Sequence, residues 1–123
     1  MDTTSGLPNP DENGPRRSDH EELFQALLQA NQAAFVSAGY EAAYHALMAA
    51  LHVAQDSKDA EGLLVIVGRA KEQQASIDDL APDHRFSTGS AASRGHKSVY
   101  EMAAQQARAQ AGMVRLRRPE SDL

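Results

Sequence analysis

At 123 residues the chain is long enough for one domain and too short for two. Its formal net charge of −5 comes without a sustained basic face, which argues against a nucleic-acid binder, because phosphate contacts dominate that affinity. It has no cysteine, so a disulfide scaffold, a thiolate zinc site and a cysteine nucleophile are excluded.

Apolar residues make up 41% of the chain but aromatics only 5%, and alanine supplies much of the apolar count. A buried methyl removes little area from water, so an alanine-rich core is thin and needs close helix approach or a partner. Residues 1–17 hold Gly6, Pro8, Pro10, Gly14 and Pro15 among polar side chains and have no apolar run. They are expected to form a disordered tail and not a signal peptide. No stretch approaches a membrane span, and the chain is expected to be cytoplasmic.

A first helix is predicted over about 18–38. Ser18-x-x-Glu21 has the form of a capping box, and Leu23, Phe24, Leu27, Leu28, Asn31, Ala34, Phe35 and Ala38 recur at helical spacing. Gly39 is expected to end it at a position needing positive φ. A second helix, about 40–55, carries one face of Tyr40, Ala43, Tyr44, Leu47, Ala50, Leu51 and Ala54, and another of Ala42, Ala46, Ala49 and Val53. Two apolar faces predict a helix sandwiched between neighbours.

Asp59 is the expected N-cap of a third helix, about 60–80, with Leu63, Ile66, Val67, Ala70, Ile77 and Leu80 as its stripe. Gly62 and Gly68 each weaken it by roughly 1 kcal/mol against alanine. Pro82 stops it. Residues 82–97 read as a loop, long for a small bundle and rich in serine, glycine and basic residues, and Phe86 is expected to anchor it onto the bundle. Ser98-x-x-Glu101 is a second capping box, opening a helix over about 98–114. Val99, Met102, Ala103, Gln106, Gln110 and Met113 are its expected stripe, a weak face that predicts loose docking, and residues 115–123 are expected to fray.

The segment Leu27 to Ala54 resembles one tetratricopeptide repeat. Tyr40, Ala43, Leu47, Ala50 and Leu51 stand where that family's second helix has its signature, and Leu27, Ala30, Asn31 and Ala34 where the first helix has its own. Leu27 and Ala34 replace the usual aromatics, and Asn31 replaces a small glycine. The resemblance implies a protein- or peptide-interaction scaffold. A lone repeat cannot bury both faces, so the later helices or another chain must cover it.

Chemistry is sparse. His45 and His52 lie seven residues apart on the polar edge of the second helix, and with His84 they are the candidates for a metal or small ligand. The Glu-x-x-His pairs of di-iron bundles are missing, because Tyr44 stands three residues after Glu41. Gly89 to Ser98 has the composition of a phosphate-binding loop but the wrong glycine spacing and no preceding strand. Arg85, Arg94, His96 and Lys97 precede the N-terminus of the last long helix, where an anion or acidic peptide could dock.

The reading is therefore all-α: three to four antiparallel helices with a tetratricopeptide-like hairpin inside a small bundle over 18–114. The expected function is a non-catalytic interaction module with no cofactor, whose partner is a protein, a peptide or a second copy of the chain. The alternative is a metal- or small-ligand-binding bundle.

Overall fold

The computed structural model describes residues 17–117; of the expected tails at 1–17 and 115–123, residues 1–16 and 118–123 lie outside the described residues, whereas Arg17, Arg115 and Leu116 belong to helices. The fold is all-α, 81% helical, with no strand among the described residues. The helices are α1 (Arg17–Val36), α2 (Tyr40–Asp56), α3 (Ala60–Leu80), α4 (Thr88–Ser93) and α5 (Val99–Leu116). The closest pairings are α1 with α2 and α3 with α5, and α2 joins the two pairs by touching α3 and α5.

Both tight turns are made in one way. At the end of α1, Ala38 N–H donates to Phe35 O (2.9 Å) and Gly39 N–H to Ala34 O (2.8 Å). At the end of α2, Lys58 N–H donates to Gln55 O (3.1 Å) and Asp59 N–H to Ala54 O (2.9 Å). This is the Schellman pattern, which needs a left-handed residue one place past the cap. That residue is Ala38 (φ 63°) and Lys58 (φ 56°). The expectation that Gly39 supplies the positive φ is thus corrected, since its φ is −86°. Gly39 answers a different need: a Cβ there would sit 3.3 Å from the Ala34 carbonyl oxygen.

Asp59 caps α3 by accepting from Gly62 N–H (2.9 Å). A Cβ on Gly62 would stand 2.5 Å from Asp59 Oδ2 and 3.4 Å from Ala54 Cβ, so a side chain there forces the capping carboxylate to shift. Gly68 has no such reason; nothing lies within 4 Å of its missing Cβ.

The core runs from Phe24 and Leu28 through Leu47, Leu51, Leu63, Ile66 and Ile77 to Tyr100. On α2 the larger face is buried, but Ala46, Ala49 and Val53 are only half-buried and Ala42 is exposed. The smaller face of α2 is therefore only partly covered, although α1, α3 and α5 all touch the helix. The expected face of α5 is also corrected. Met102 and Met113 are 46% and 47% exposed, while Tyr100, Ala103, Ala104, Ala107 and Ala111 are buried. The alanines let α5 approach α3 closely, so it packs tightly where loose docking was expected. Leu80, placed on the stripe of α3, is exposed at that helix's last residue.

Asn31 is fully buried in α1 and fully satisfied. Its Nδ2 donates to Ala43 O (2.8 Å) and to Gln73 Oε1 (3.0 Å). Its Oδ1 accepts from Gln73 Nε2 (2.8 Å) and from an Arg69 guanidinium nitrogen (3.0 Å). One side chain therefore ties α1 to both α2 and α3.

Two sets of substitutions test this account by chemical denaturation. Ala38→Gly and Gly68→Ala are each expected to stabilise by a few tenths to about 1 kcal/mol, the first by relieving left-handed strain and the second by helix propensity, whereas Gly62→Ala destabilises. Equal effects at the two glycines would contradict the close-approach reading. Gln73→Leu alone is expected to cost about 2 kcal/mol by stranding Asn31, with much of that regained in the Asn31→Leu, Gln73→Leu double variant; strict additivity would show the pair is not coupled.

Candidate interaction surfaces

The stretch between α3 and α5 is held from several directions. The segment expected as a plain loop over 82–97 contains α4, and Phe86 and Ala91 in it are buried. Phe86 enters an aromatic cluster at one end of the bundle. Its ring centroid lies 6.2 Å from Tyr44, 6.0 Å from Tyr100 and 5.1 Å from His84. Phe35 and Tyr40 complete the cluster, 5.0 Å apart. Tyr100 is fully buried and donates its hydroxyl to Tyr40 O (2.7 Å). Burial, then the nearby Tyr40 and Tyr44, pushes its ionisation above the ordinary tyrosine value.

Polar groups fix the rest of the connection. Gln74 donates to Phe86 O (3.0 Å) and receives the Ser98 hydroxyl on its Oε1. Ser98 also accepts from Glu101 N–H (3.2 Å), so the expected cap is in place at the start of α5. Asp78 receives the N–H and the hydroxyl of Thr88, each at 2.7 Å. Burial pushes the Asp78 carboxyl up, but the two Thr88 hydrogen bonds and that from Gln74 outweigh it and hold the group below its ordinary 3.8. The anion that the first turn of α4 favours is thus supplied by the chain itself.

Two of the four residues expected to bind a partner are engaged internally. Arg85 pairs with Glu41 (2.9 Å) and lies over the Phe86 ring at 4.8 Å. Arg94 donates to Arg85 O (2.8 Å) and Ser90 Oγ (2.7 Å). The structure therefore joins Arg85 and Arg94 as braces of the connection. His96 and Lys97 are exposed beyond the left-handed Gly95. Of the candidate metal ligands, His45 and His52 are exposed on α2. His84 is half-buried, its Nδ1 accepting from Phe86 N–H (3.0 Å). No three His, Asp or Glu side chains among the described residues come together as a metal site.

Apolar residues are left uncovered in stripes on α1 and α5, and Leu64, Val65 and Leu80 are exposed on α3. On α1, Leu23, Ala26, Ala30 and Ala33 recur at helical spacing and are all exposed. On α5, Met102, Gln106, Ala109, Met113 and Leu116 do the same, with Leu116 86% exposed. Hydrophobic periodicity alone assigns Met102, Gln106 and Met113 to the interior, and on α1 it merges Leu23 with the buried face.

A cleft of about 810 Å³ opens between the start of α1 and the α2–α3 turn, with Phe24 among its lining and His20, Glu21, Lys58, Asp59 and Glu61 at its polar walls. No helix among the described residues is long and apolar enough to cross a membrane. No family model matches the chain, and neither does any curated protein or solved structure.

The Asp78 cap makes a pH prediction. A carboxyl depressed by folding contributes stability above its unfolded value, and that contribution disappears as the pH falls through the folded value. Wild type is expected to exceed Asp78→Ala by about 1 kcal/mol at neutral pH, the gap narrowing only below pH 3.8. Thermal melts of both proteins against pH check this, and a gap that does not narrow in acid would remove the carboxylate from the account.

Proposed function

We propose that the chain is a non-catalytic protein-interaction module that acts through the outer apolar faces of its first and last long helices. The observation that carries the reading is the pair of uncovered stripes on α1 and α5. The interior is otherwise closed: among the described residues no buried polar side-chain atom lacks a hydrogen-bond partner. Exposed methionine and leucine in register along a helix are the usual means by which one helix is recognised by another surface.

The tetratricopeptide resemblance of residues 27–54 leads to the same kind of function, since such hairpins present helix faces to partners. The polar groups of the molecule speak less for the alternative of a metal or small ligand. His84 is engaged with Phe86 N–H, and the cationic candidates Arg85 and Arg94 brace the α3–α5 connection. A cytoplasmic setting fits the acidic, cysteine-free chain.

Leu23→Glu and Met113→Glu place a charge on each stripe without touching the core. Each is expected to leave the melting temperature within a few degrees of wild type and to abolish recovery of specific partners in crosslinking from native cells. Unchanged recovery with both variants would remove the two stripes from the function.

A further inference from the structure

We infer that the partner covering these stripes is a second copy of the chain, stacked head to tail, with the outer face of α1 of one copy against the outer face of α5 of the next. This deepens the interaction reading and rests on it.

The first argument is electrostatic. The start of α1 carries Asp19, Glu21 and Glu22 against one arginine, Arg17, at the end of its stripe that holds Leu23. The end of α5 carries Arg115 and Arg117 beside Met113 and Leu116. Glu22, Arg115 and Arg117 are exposed. When the two helices lie antiparallel, the acidic end of one meets the basic end of the other, and Leu23 comes beside Met113. α5 itself has two arginines, Arg108 and Arg115, with Arg117 just beyond it, and a single acidic residue, Glu101, so an antiparallel α5–α5 pair sets one carboxylate, not three, against each basic end.

The second argument is steric. Ala26, Ala30 and Ala33 face outward on α1, and Ala109 and Gly112 are open on α5. Nothing lies within 4 Å of a Cβ built on Gly112. Small residues on both sides allow the backbones to approach as closely as α3 and α5 do within one copy, while Met102 and Met113 fill the gaps.

The third argument is topological. Within the chain α1 and α2, α2 and α3 follow one another through tight turns, and Gln74 near the end of α3 meets Ser98 at the start of α5. Each long helix is thus antiparallel to the one before it. Placing α1 of the next copy antiparallel on α5 continues that alternation across the junction. The two surfaces differ, so the contact is heterologous and does not close on itself as a two-fold dimer does.

Sedimentation velocity over a wide concentration range tests this on the full chain. The wild type is expected to grow in mass with concentration beyond a dimer, less so at high salt. Glu22→Lys and Arg117→Glu each place like charges across the junction and should weaken association by about tenfold or more, whereas the double variant restores it. A wild type that stays monomeric, a closed dimer that ignores both reversals, or a double variant that does not recover overturns the stacking. If the chain stays monomeric while Leu23→Glu or Met113→Glu still abolishes capture of a different protein, the stacking falls and the interaction reading stands.

Discussion

The arrangement of the first three helices depends on the amide of Asn31. An alanine-rich interior offers little area per residue and few shapes that exclude a sliding register. Asn31 removes that freedom, because its carbonyl and amide face Gln73 reciprocally while the second amide hydrogen reaches the Ala43 carbonyl. A slip of α1 by one turn would leave a buried amide unpaired, which costs more than the modest net gain of making its bonds. Arg69 adds a charged donor to the same oxygen and to Leu28 O, so the network opens toward solvent on one side only.

The opposite problem, joining α3 to α5 across a long polar stretch, is met by a different set of groups. Phe86 supplies the apolar anchor, and Asp78, Gln74 and Arg94 fix the backbone around it. Polar residues that could have formed a binding site are therefore spent on holding a connection. The same economy explains why α4 can persist at six residues, a length at which an isolated helix is not stable. Its N-terminus is capped by Ser87 and faced by Asp78, and its end is closed by the left-handed Gly95.

The hairpins were legible in the sequence because their signals are local. Asp59, Ser98 and the stripe of Leu47 and Leu51 each act within a few residues of themselves. The face of α5 was not, because hydrophobicity favours Met102 and Met113 for the interior whereas close approach to α3 favours Ala103, Ala107 and Ala111. Ala38 and Lys58 were missed for a related reason: left-handed caps are expected at glycine, and here the glycine beside Ala38 is needed for contact with the Ala34 carbonyl. The position of Asn31 among apolar residues could have signalled burial, but its partner is 42 residues away and no local rule finds it. The role of Asp78 was likewise hidden, since Thr88 meets it only once the chain has turned at Pro82.

The apolar residues of α5 are not sorted by size alone. Met102, Met113 and Leu116 lie outside, while Tyr100 and four alanines lie inside and Val99 and Val114 are partly buried. Burying a methionine in place of an alanine would remove more area from water, but the alanines are what give α5 its short distance to α3, so area alone does not explain this order. The order has a physical use when both sides of α5 are contact surfaces. The inner side is then built for short interhelical distance and the outer side for adaptable filling against a partner. On α1 the outer side is mostly alanine with a single leucine, so a methionine-bearing face fits it better than another alanine face would. In the proposed stacking, the uneven sharing of small and large residues between α1 and α5 makes the two surfaces complements, and not two copies of one surface.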